Sequence, residues 1–489
     1  MNYAAALSCC AVLTLGACVG PNFQRPIPPH APRYTAEALP QTAAASTPSG
    51  AAQKFLTEQA VPRNWWLLFD SPELNGLVTE ALRANPDVLS AQAALRQALE
   101  NTAAQRGGYF PVVQGAFDAS RNRNATGVLA PNLASGTSLY DLFTPQLTVS
   151  FVPDIFGANR RQVESLAAQA EAARFQLDAT YLTLTANVVT SAIQEAGFRA
   201  QIAATEQVIA LERESLGVLR RELSLGAIAE VDVYAQQAAL AQLQATLPPL
   251  QRQLRQTESQ LAVLTGRLPA DFTPPNLQLE QLVLPVDLPL GVPSELVERR
   301  PDVRAAEAQL HSATAQVGVA IANLLPQFTI TGNIGSAATA MSDLFKPGTG
   351  FWSIGANATQ TLFAGGTLLH RKRAADAALD QAGAAYKSAV LTAFQNVADA
   401  LHALAADADA LEAASRAESA AQKSLEVTRQ QLKIGAVSYL ALLNAEQAYQ
   451  QASITVIQSR ASRFADTAAL FQALGGSIAP DTAQTLGAR

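Results

Sequence analysis

Residues 86–111 read PDVLSAQAALRQALENTAAQRGGYFP, and residues 301–326 read PDVRAAEAQLHSATAQVGVAIANLLP. Each stretch opens with Pro-Asp-Val, and each reaches a closing proline 25 residues later. The same opening, length and ending therefore occur twice in one chain. Such an internal repeat indicates that two halves of the protein follow one structural plan.

The duplication extends to the far ends of both halves. The run 223–228, Leu-Ser-Leu-Gly-Ala-Ile, is matched by 432–437, Leu-Lys-Ile-Gly-Ala-Val, and Leu264-Thr265-Gly266 is matched by Leu474-Gly475-Gly476. The offset between matched positions stays between 209 and 215, apart from a slip near residue 160. Repetition on this scale favours a quasi-symmetric assembly of one duplicated unit over an enzyme with a single pocket.

The composition narrows the class of protein further. Charged residues make up 15% of the chain, compared with about 25% in an average soluble domain. A length of 489 residues would suggest about three domains, but the duplication favours two interleaved copies of one elongated unit. The net charge of −6 argues against nucleic-acid binding, which needs a basic face.

The amino-terminal residues predict export and acylation. An apolar run ends in Leu15-Gly16-Ala17-Cys18, which resembles a bacterial lipobox, although residues 1–3 lack the usual Lys or Arg. Cleavage before Cys18 would leave one cysteine in the mature chain, so no intramolecular disulfide could form. The alternative is that Cys18 is an ordinary buried cysteine.

The sequence predicts six segments along the chain. They are a signal peptide at 1–17, an acylated tether at 18–70, a first repeat at 71–265, a connector at 266–297, a second repeat at 298–476 and a tail at 477–489. Within the second segment, residues 26–62 are rich in Pro, Ala, Ser and Thr and show no hydrophobic period. This composition predicts an extended tether rather than a packed element.

Two pairs of strands are predicted, near 110–153 in the first repeat and near 326–363 in the second. Residues 147–151 alternate apolar with polar side chains, and residues 328–334 do the same. Strands of about ten residues have the length of tilted strands in a membrane barrel, although the same alternation also describes a half-buried sheet of a soluble protein. Four strands cannot close around a channel, so closure would need other subunits.

One side of these strands is predicted to face lipid, because a shift by one residue would place Thr148, Ser150, Thr329 and Thr331 there instead. The predicted lipid-facing residues are Val113, Phe117, Leu147, Val149, Phe151, Phe328, Ile330, Ile334, Trp352 and Ile354.

Long helices are predicted between Arg160 and Leu225 and between Thr367 and Ile434, where proline is absent and glycine is rare. A helix of about 67 residues is near 100 Å long, more than a globular domain requires. Apolar residues at 379, 386, 390, 397, 401, 404, 408 and 411 form a heptad seam in the second of these helices. The helices alone would also fit a simple cytosolic coiled coil. A shorter helical pattern from Pro72 to Gly107 is expected to break at Pro86.

Several motifs occur together in this chain. They are the lipobox followed by residues 19–26, the segment 66–69, the paired Pro-Asp-Val helices, the Leu-Phe-Ala-Gly-Gly run at 362–366 and the closing Ala-Leu-Gly-Gly at 473–476. Each motif is weak alone, but the combination resembles the TolC family of outer-membrane efflux proteins, and within it the acylated OprM/NodT branch. The resemblance covers essentially the whole chain after the signal peptide.

The resemblance implies a mixed fold in which long α-helical hairpins form an α-barrel tunnel through the periplasm. Four strands per chain would complete a twelve-stranded outer-membrane barrel in a homotrimer. The implied function is the passive exit channel of a tripartite efflux pump for drugs or other small molecules. Its implied partners are a periplasmic adaptor and an inner-membrane transporter of the RND, major-facilitator or ABC type. The alternatives are a duct for type I protein secretion and a lipid-anchored periplasmic coiled coil.

The resemblance also implies a gate at the periplasmic tips. Gly226 and Gly435 end the two long helices, and each is followed by a short turn and a returning helix. In relatives the returning helix of the second repeat carries an apolar residue and carboxylates that close the aperture. The matching positions here are Leu440, Ala441 and Asn444, so the acidic part of that pattern is absent, and Asp232 with Glu230 in the first repeat is the nearest remaining charge. The alternative is that Leu440 packs within its hairpin and Asp232 is solvated.

Two common catalytic motifs are absent from the sequence. It contains neither the Gly-x-x-x-x-Gly-Lys-Ser/Thr of a P-loop nor a Gly-x-Ser-x-Gly nucleophile elbow. Four isolated histidines, at 30, 311, 370 and 402, do not form a Cys/His cluster. We therefore expect neither catalysis, nor a cofactor, nor a metal site.

Overall fold

The computed structural model describes residues 19–29, 31–37, 39–57, 59, 61–123 and 139–476. In this part of the chain the strands are β1 (Lys54–Leu56), β2 (Val112–Arg123), β3 (Leu139–Phe151), β4 (Asp287–Pro289), β5 (Gln327–Ser336) and β6 (Gly350–Thr359). The α-helices are α1 (Pro72–Ala84), α2 (Pro86–Arg106), α3 (Ala158–Ser224), α4 (Glu230–Leu264), α5 (Pro293–Arg299), α6 (Pro301–Ala322), α7 (Thr367–Lys433) and α8 (Tyr439–Ala473). Cys18 lies outside the described residues.

The chain forms two compact units, and each draws on both repeats. The first, called the sheet unit here, comprises the described residues within 19–25, 96–172 and 307–385. The second, called the hairpin unit, comprises the described residues within 26–95, 173–306 and 386–476. Neither unit coincides with one repeat, because the long helices α3 and α7 each contribute residues to both units.

The sheet unit contains a four-stranded antiparallel sheet in the order β2-β3-β5-β6. Each repeat supplies one pair of neighbouring strands, and the β3–β5 pairing joins the two repeats. The strands are 12, 13, 10 and 10 residues long and fall within the predicted regions, which confirms the strand prediction.

The long helices match the sequence prediction closely. Both α3 and α7 are 67 residues long, and the returning helices α4 and α8 are 35 residues long. The break at Pro86 is also confirmed, since α1 ends at Ala84 and α2 begins at Pro86. Among the described residues, none of the helices contains a stretch apolar enough and long enough to pass through a bilayer.

The four helices α3, α4, α7 and α8 all end at a glycine with the same backbone motif. At the end of α3, Gly226 has φ of +74° and its N–H donates to the carbonyl of Leu223, while Ala227 N–H donates to that of Glu222. This pair of bonds is a Schellman motif, which needs a residue in the left-handed region. The motif recurs at Gly435, Gly266 and Gly475, with φ of +73°, +74° and +73°. The duplication is therefore exact at the level of helix termination.

The predicted heptad seam forms the buried side of α7 within the hairpin unit. Tyr386, Val390, Val397, Leu401, Leu404, Ala408 and Leu411 are all buried, as the seam requires. The first predicted member, Leu379, is only half-buried and belongs to the sheet unit.

Part of the segment predicted to be an unpacked tether is in fact packed. Strand β1 pairs in parallel with β4, and Gln53 is completely buried. The guanidinium of Arg463 on α8 donates to Gln53 Oε1, to Thr42 Oγ1 and to the carbonyls of Ser49 and Ala51. The tether prediction was wrong here. The prediction relied on the absence of a hydrophobic period, whereas these residues are held by hydrogen bonds from Arg463 on α8.

The residues that follow Cys18 are also bound, in the sheet unit. Arg161 on α3 donates to Asn22 Oδ1 at 2.6 Å and to the carbonyls of Val19 and Gly20 at 3.4 Å. The ring of Phe23 stacks on His311 of α6 with centroids 4.4 Å apart. Residues 19–23 are therefore attached to two helices of the sheet unit.

Candidate functional site

The register of the sheet separates apolar from polar residues completely at its centre. Val113 pairs with Val149, Val149 with Gly332, and Gly332 with Ile354. The adjacent row, one residue along each strand, is Gln114, Thr148, Asn333 and Ser353. Because successive side chains point to opposite sides of a sheet, the first row lies on one face and the second row on the other.

The register places every predicted lipid-facing residue on the same face. Pairings of Phe151 with Ile330, of Leu147 with Ile334 and of Ile334 with Trp352 extend the apolar row in both directions. Ile354 and Trp352 expose 74% and 75% of their surface, so the apolar face is uncovered in the single chain. An apolar face of this kind on a sheet of membrane-spanning length is typical of strands in contact with lipid.

The apolar face ends at a pair of charges on the loop side. Arg121 and Asp141 pair across β2 and β3 with a distance of 3.7 Å between Arg121 Nε and Asp141 Oδ1. Both side chains lie on the same face as Val113 and Val149, because they are separated from them by an even number of residues. The boundary fits a strand that leaves the hydrocarbon region at this level.

Both edges of the sheet are unpaired within the described part of the chain. Strand β2 pairs only with β3, and β6 pairs only with β5. Rows of free N–H and C=O groups on long edge strands are a template for pairing with another chain.

The predicted gate residues occupy the beginnings of the two returning helices. Leu440 is the second residue of α8 and is 55% exposed, and Asn444, one turn later, is also exposed. Glu230 and Asp232 lie in the first turn of α4, where Glu230 accepts a hydrogen bond from the Tyr234 hydroxyl at 2.7 Å. The structure therefore places the four predicted residues on two equivalent helix starts, and leaves Leu440 uncovered in the single chain.

Sequence reasoning missed the counterpart of Leu440 in the first repeat. The offset of 209 between Gly226 and Gly435 relates Val231 to Leu440, and Val231 is 67% exposed. The two repeats therefore expose an apolar side chain at equivalent positions near the start of each returning helix. The repeat offset, applied to Leu440, would have identified Val231 from the sequence.

Tyr439, next to Leu440, contacts both helical hairpins, the first formed by α3 and α4 and the second by α7 and α8. It packs against the apolar cluster of α3 and α4 that contains Leu216 and Val233, and also against the cluster of α7 and α8 that contains Leu425 and Leu442. Burial raises the pKa of its phenol to about 12. The start of α8 is therefore anchored to both hairpins through one aromatic ring.

A buried carboxyl pair links the same four helices. Glu212 of α3 and Glu446 of α8 are both buried, and Gln236 of α4 donates to Glu212. Arg429 of α7 donates to Glu446 Oε1 at 3.1 Å. Burial, together with the nearby charge of Glu446, raises the pKa of Glu212 to about 7. Sequence reasoning missed this pair because its members are far apart in the chain and neither belongs to a motif.

Comparison with known proteins agrees with this architecture. The model of the family described as outer membrane efflux protein matches residues 77–267 and 292–476. The chain is 28% identical to the pyoverdine export outer membrane protein OpmQ of Pseudomonas putida over 427 residues, which cover 87% of this chain and 90% of that protein. It is 29% identical to the outer membrane protein OprJ of Pseudomonas aeruginosa over 470 residues, covering 95% and 94% of the two chains.

A solved structure shares the fold over nearly the whole length. The outer-membrane channel OprN superposes with a TM-score of 0.83 at 28% identity, covering 94% of this chain and 100% of that chain. The matched family segments begin and end close to the two repeats, and the relatives are channel proteins. The chain therefore belongs to the outer membrane efflux protein family.

Proposed function

We propose that three copies of this chain close a twelve-stranded barrel in the outer membrane and that their helices continue it as a tunnel through the periplasm. The chain is an outer-membrane efflux channel, and the trimeric barrel is the form we propose for it. The observation that supports this form best is the four-stranded sheet with one apolar face and two unpaired edges. Four strands cannot enclose a channel, whereas twelve can.

The strand directions are compatible with closure between copies. The sheet is antiparallel throughout, so β2 and β6 at its two edges run in opposite directions. β6 of one copy would then lie antiparallel to β2 of the next, and the ring would keep a single pattern of hydrogen bonds. Closure would also remove the exposed edges, which are an aggregation hazard in a chain left alone.

The proposed transport is passive and serves small molecules. Relatives are named for the export of pyoverdine, antibiotics and toluene, which are small organic compounds. We propose that this chain accepts such molecules from an inner-membrane transporter of the RND, major-facilitator or ABC type through a periplasmic adaptor. The names of the relatives favour this cargo over a secreted polypeptide.

We propose that Leu440 closes the resting channel at the helix tips, with Asn444 behind it. Leu440 is uncovered in the single chain although it begins a helix whose next turns are buried. In a trimer three such side chains would meet at the axis and exclude water and ions from the aperture. Val231 and the acidic pair Glu230 and Asp232 would surround this ring from the first repeat.

Replacement of Leu440 is expected to open the resting channel. In planar bilayers the wild-type trimer should conduct ions with a small resting current, and Leu440→Ser should raise this current several-fold because a hydroxyl does not repel water. Leu440→Ile, which keeps the apolar bulk, should remain like wild type. Large antibiotics should enter cells that carry Leu440→Ser. An unchanged current in both Leu440→Ser and Asp232→Ala would remove these residues from the gate, and a wild-type protein that never conducts would overturn the duct itself.

Cys18 is proposed to carry the lipid anchor. The residues immediately after it are held by Arg161 and His311, so an acyl chain at Cys18 would be attached to the sheet unit through a short, bound segment. Labelled palmitate should enter the wild-type protein, and Cys18→Ala should abolish the label. We expect that variant to keep partial function if another peptidase releases it, because the barrel also holds the protein in the membrane. Label retained by Cys18→Ala would refute the assignment.

A further inference from the structure

The buried carboxyl pair joins the two hairpins within a few turns of their tips. Glu212 stands on the long helix of the first hairpin, and Glu446 stands on the returning helix of the second, two turns after Tyr439. Since residues seven apart share one face of a helix, Glu446 and Tyr439 both point toward the first hairpin. Tyr439 precedes Leu440 directly, so movement of this face moves the proposed gate residue.

The charges around the pair do not balance when both carboxyls are ionised. Among the residues that the structure describes, Arg429 is the cation recorded in an ion pair with this carboxyl pair, and it binds Glu446. Glu212 receives hydrogen bonds from the neutral amide of Gln236. Glu446 Oε2 is buried and receives no hydrogen bond from any residue that the structure describes. The groups of the four helices that face this region are Glu212, Ser215 and Glu222 of α3, Gln236 of α4, Arg429 of α7, and Tyr439 and Glu446 of α8.

One proton shared between the carboxyls would resolve this imbalance. A protonated Glu212 could donate to the unused oxygen of Glu446, and the pair would then carry a single negative charge opposite Arg429. Without that proton, two buried carboxylates would lie close together with one guanidinium, bound to Glu446, to balance them, and they would repel each other.

We propose that Glu212 and Glu446 form a proton-dependent latch between the hairpins, which holds the tips together in acid and weakens as the pH rises through neutrality. The inference rests on the proposed duct, because it concerns the opening of its tips. The periplasm is separated from the medium by a porous membrane, so the latch would make the resting channel respond to external pH.

The sign of the effect follows from the protonation of Glu212. Its pKa is raised from 4.5 to about 7 in the folded protein, chiefly by burial and then by the charge of Glu446. A carboxyl with a raised pKa favours the folded contact most below its ordinary pKa and loses this contribution as pH rises through the raised value. The contact is therefore strongest below about pH 4.5 and is lost as the pH passes about 7.

The test compares open probability at pH 5.5 and pH 8.5 for the intact trimer in planar bilayers. We expect wild type to open at least about tenfold more often at the higher pH. The raised pKa of Glu212 lies between the two pH values, and each pKa unit corresponds to a tenfold change in the equilibrium constant. Glu212→Gln should remain at the acid level at both values, because an amide cannot ionise. Glu214→Gln, an exposed position on the same helix, and Asp407→Asn, at a half-buried carboxyl elsewhere in the hairpin unit, should respond to pH like wild type.

A second measurement does not depend on conduction. The thermal midpoint of the purified trimer should fall between pH 5 and pH 8 in wild type, and should fall less in Glu212→Gln and in Glu446→Gln. Channels whose pH response is the same in wild type and Glu212→Gln would overturn the latch while leaving the duct intact. Absence of any channel in all variants, with pH-independent melting, would overturn both proposals.

Discussion

The Val149→Arg variant is expected to lose about 2–4 kcal/mol of stability in a bilayer. Val149 lies near the middle of the apolar face, between Val113 and Gly332, where a guanidinium would meet hydrocarbon in the proposed barrel. A loss of this size should strongly reduce the amount of oligomer that survives in detergent. Urea unfolding of the protein in lipid vesicles gives the stability directly.

Thr148→Arg is the matched control for this variant. Thr148 is the adjacent residue of the same strand, and its neighbours Gln114 and Asn333 are polar. A guanidinium on that face would be hydrated in the lumen, so we expect a loss below about 1 kcal/mol. Equal losses for the two variants, or a larger one for Thr148→Arg, would show that the apolar face does not contact lipid. Labelling of cysteines at 328 and 330, but not at 329 and 331, by a water-soluble reagent would reverse the register as well.

The Arg463→Ala variant is expected to lose about 3–5 kcal/mol of stability, because several buried acceptors lose their donor, and to release the amino-terminal segment from α8. The guanidinium of Arg463 is almost completely buried and satisfies four acceptors of residues 42–53. Its removal leaves Gln53 Oε1 and the carbonyls of Ser49 and Ala51 without this donor, while Thr42 Oγ1 still accepts from the Gln53 N–H. Each buried acceptor that loses its partner costs about 1–3 kcal/mol. Limited proteolysis should then cut within residues 39–57, whereas the packed segment of wild type should resist cleavage.

Arg416→Ala serves as the control for this second variant. Arg416 lies on the exposed side of α7 and forms a 3.8 Å ion pair with Glu412 one turn away. Its loss should change stability by less than about 0.5 kcal/mol, as for most surface substitutions. If Arg463→Ala melts and resists protease like Arg416→Ala, the packed amino-terminal segment does not depend on the arginine.

The helices and strands could be predicted because their signals are local. The heptad seam of α7 and the alternation around Val149 each lie within one stretch of chain, and the glycines at 226 and 435 mark helix ends by their backbone freedom. Helix prediction is weaker where a residue type that normally ends a helix lies inside one. Pro248 and Pro249 would normally end a helix, yet α4 continues through them, since both are exposed and the carbonyls they free can bond to water.

The packed amino-terminal segment and the carboxyl latch could not be predicted, for a different reason. Gln53 and Arg463 are separated by 410 residues, and neither has a neighbour in sequence that suggests the contact. Glu212 and Glu446 each look like ordinary helix-surface residues until the four helices are assembled. The gate position Leu440 came from the family resemblance, whereas its partner Val231 needed only the internal repeat.

The equal lengths of the helices restrict how this chain can change by insertion and deletion. Both long helices have 67 residues and both returning helices have 35, and a Schellman glycine fixes each end. Removal of one residue from α3 alone would displace Gly226 by about 1.5 Å and rotate the residues beyond by about 100° against their unchanged neighbours. We therefore expect a one-residue change of length in a single long helix to disrupt packing more than most surface substitutions do. Changes near seven residues, matched in the other helices, should preserve the heptad packing.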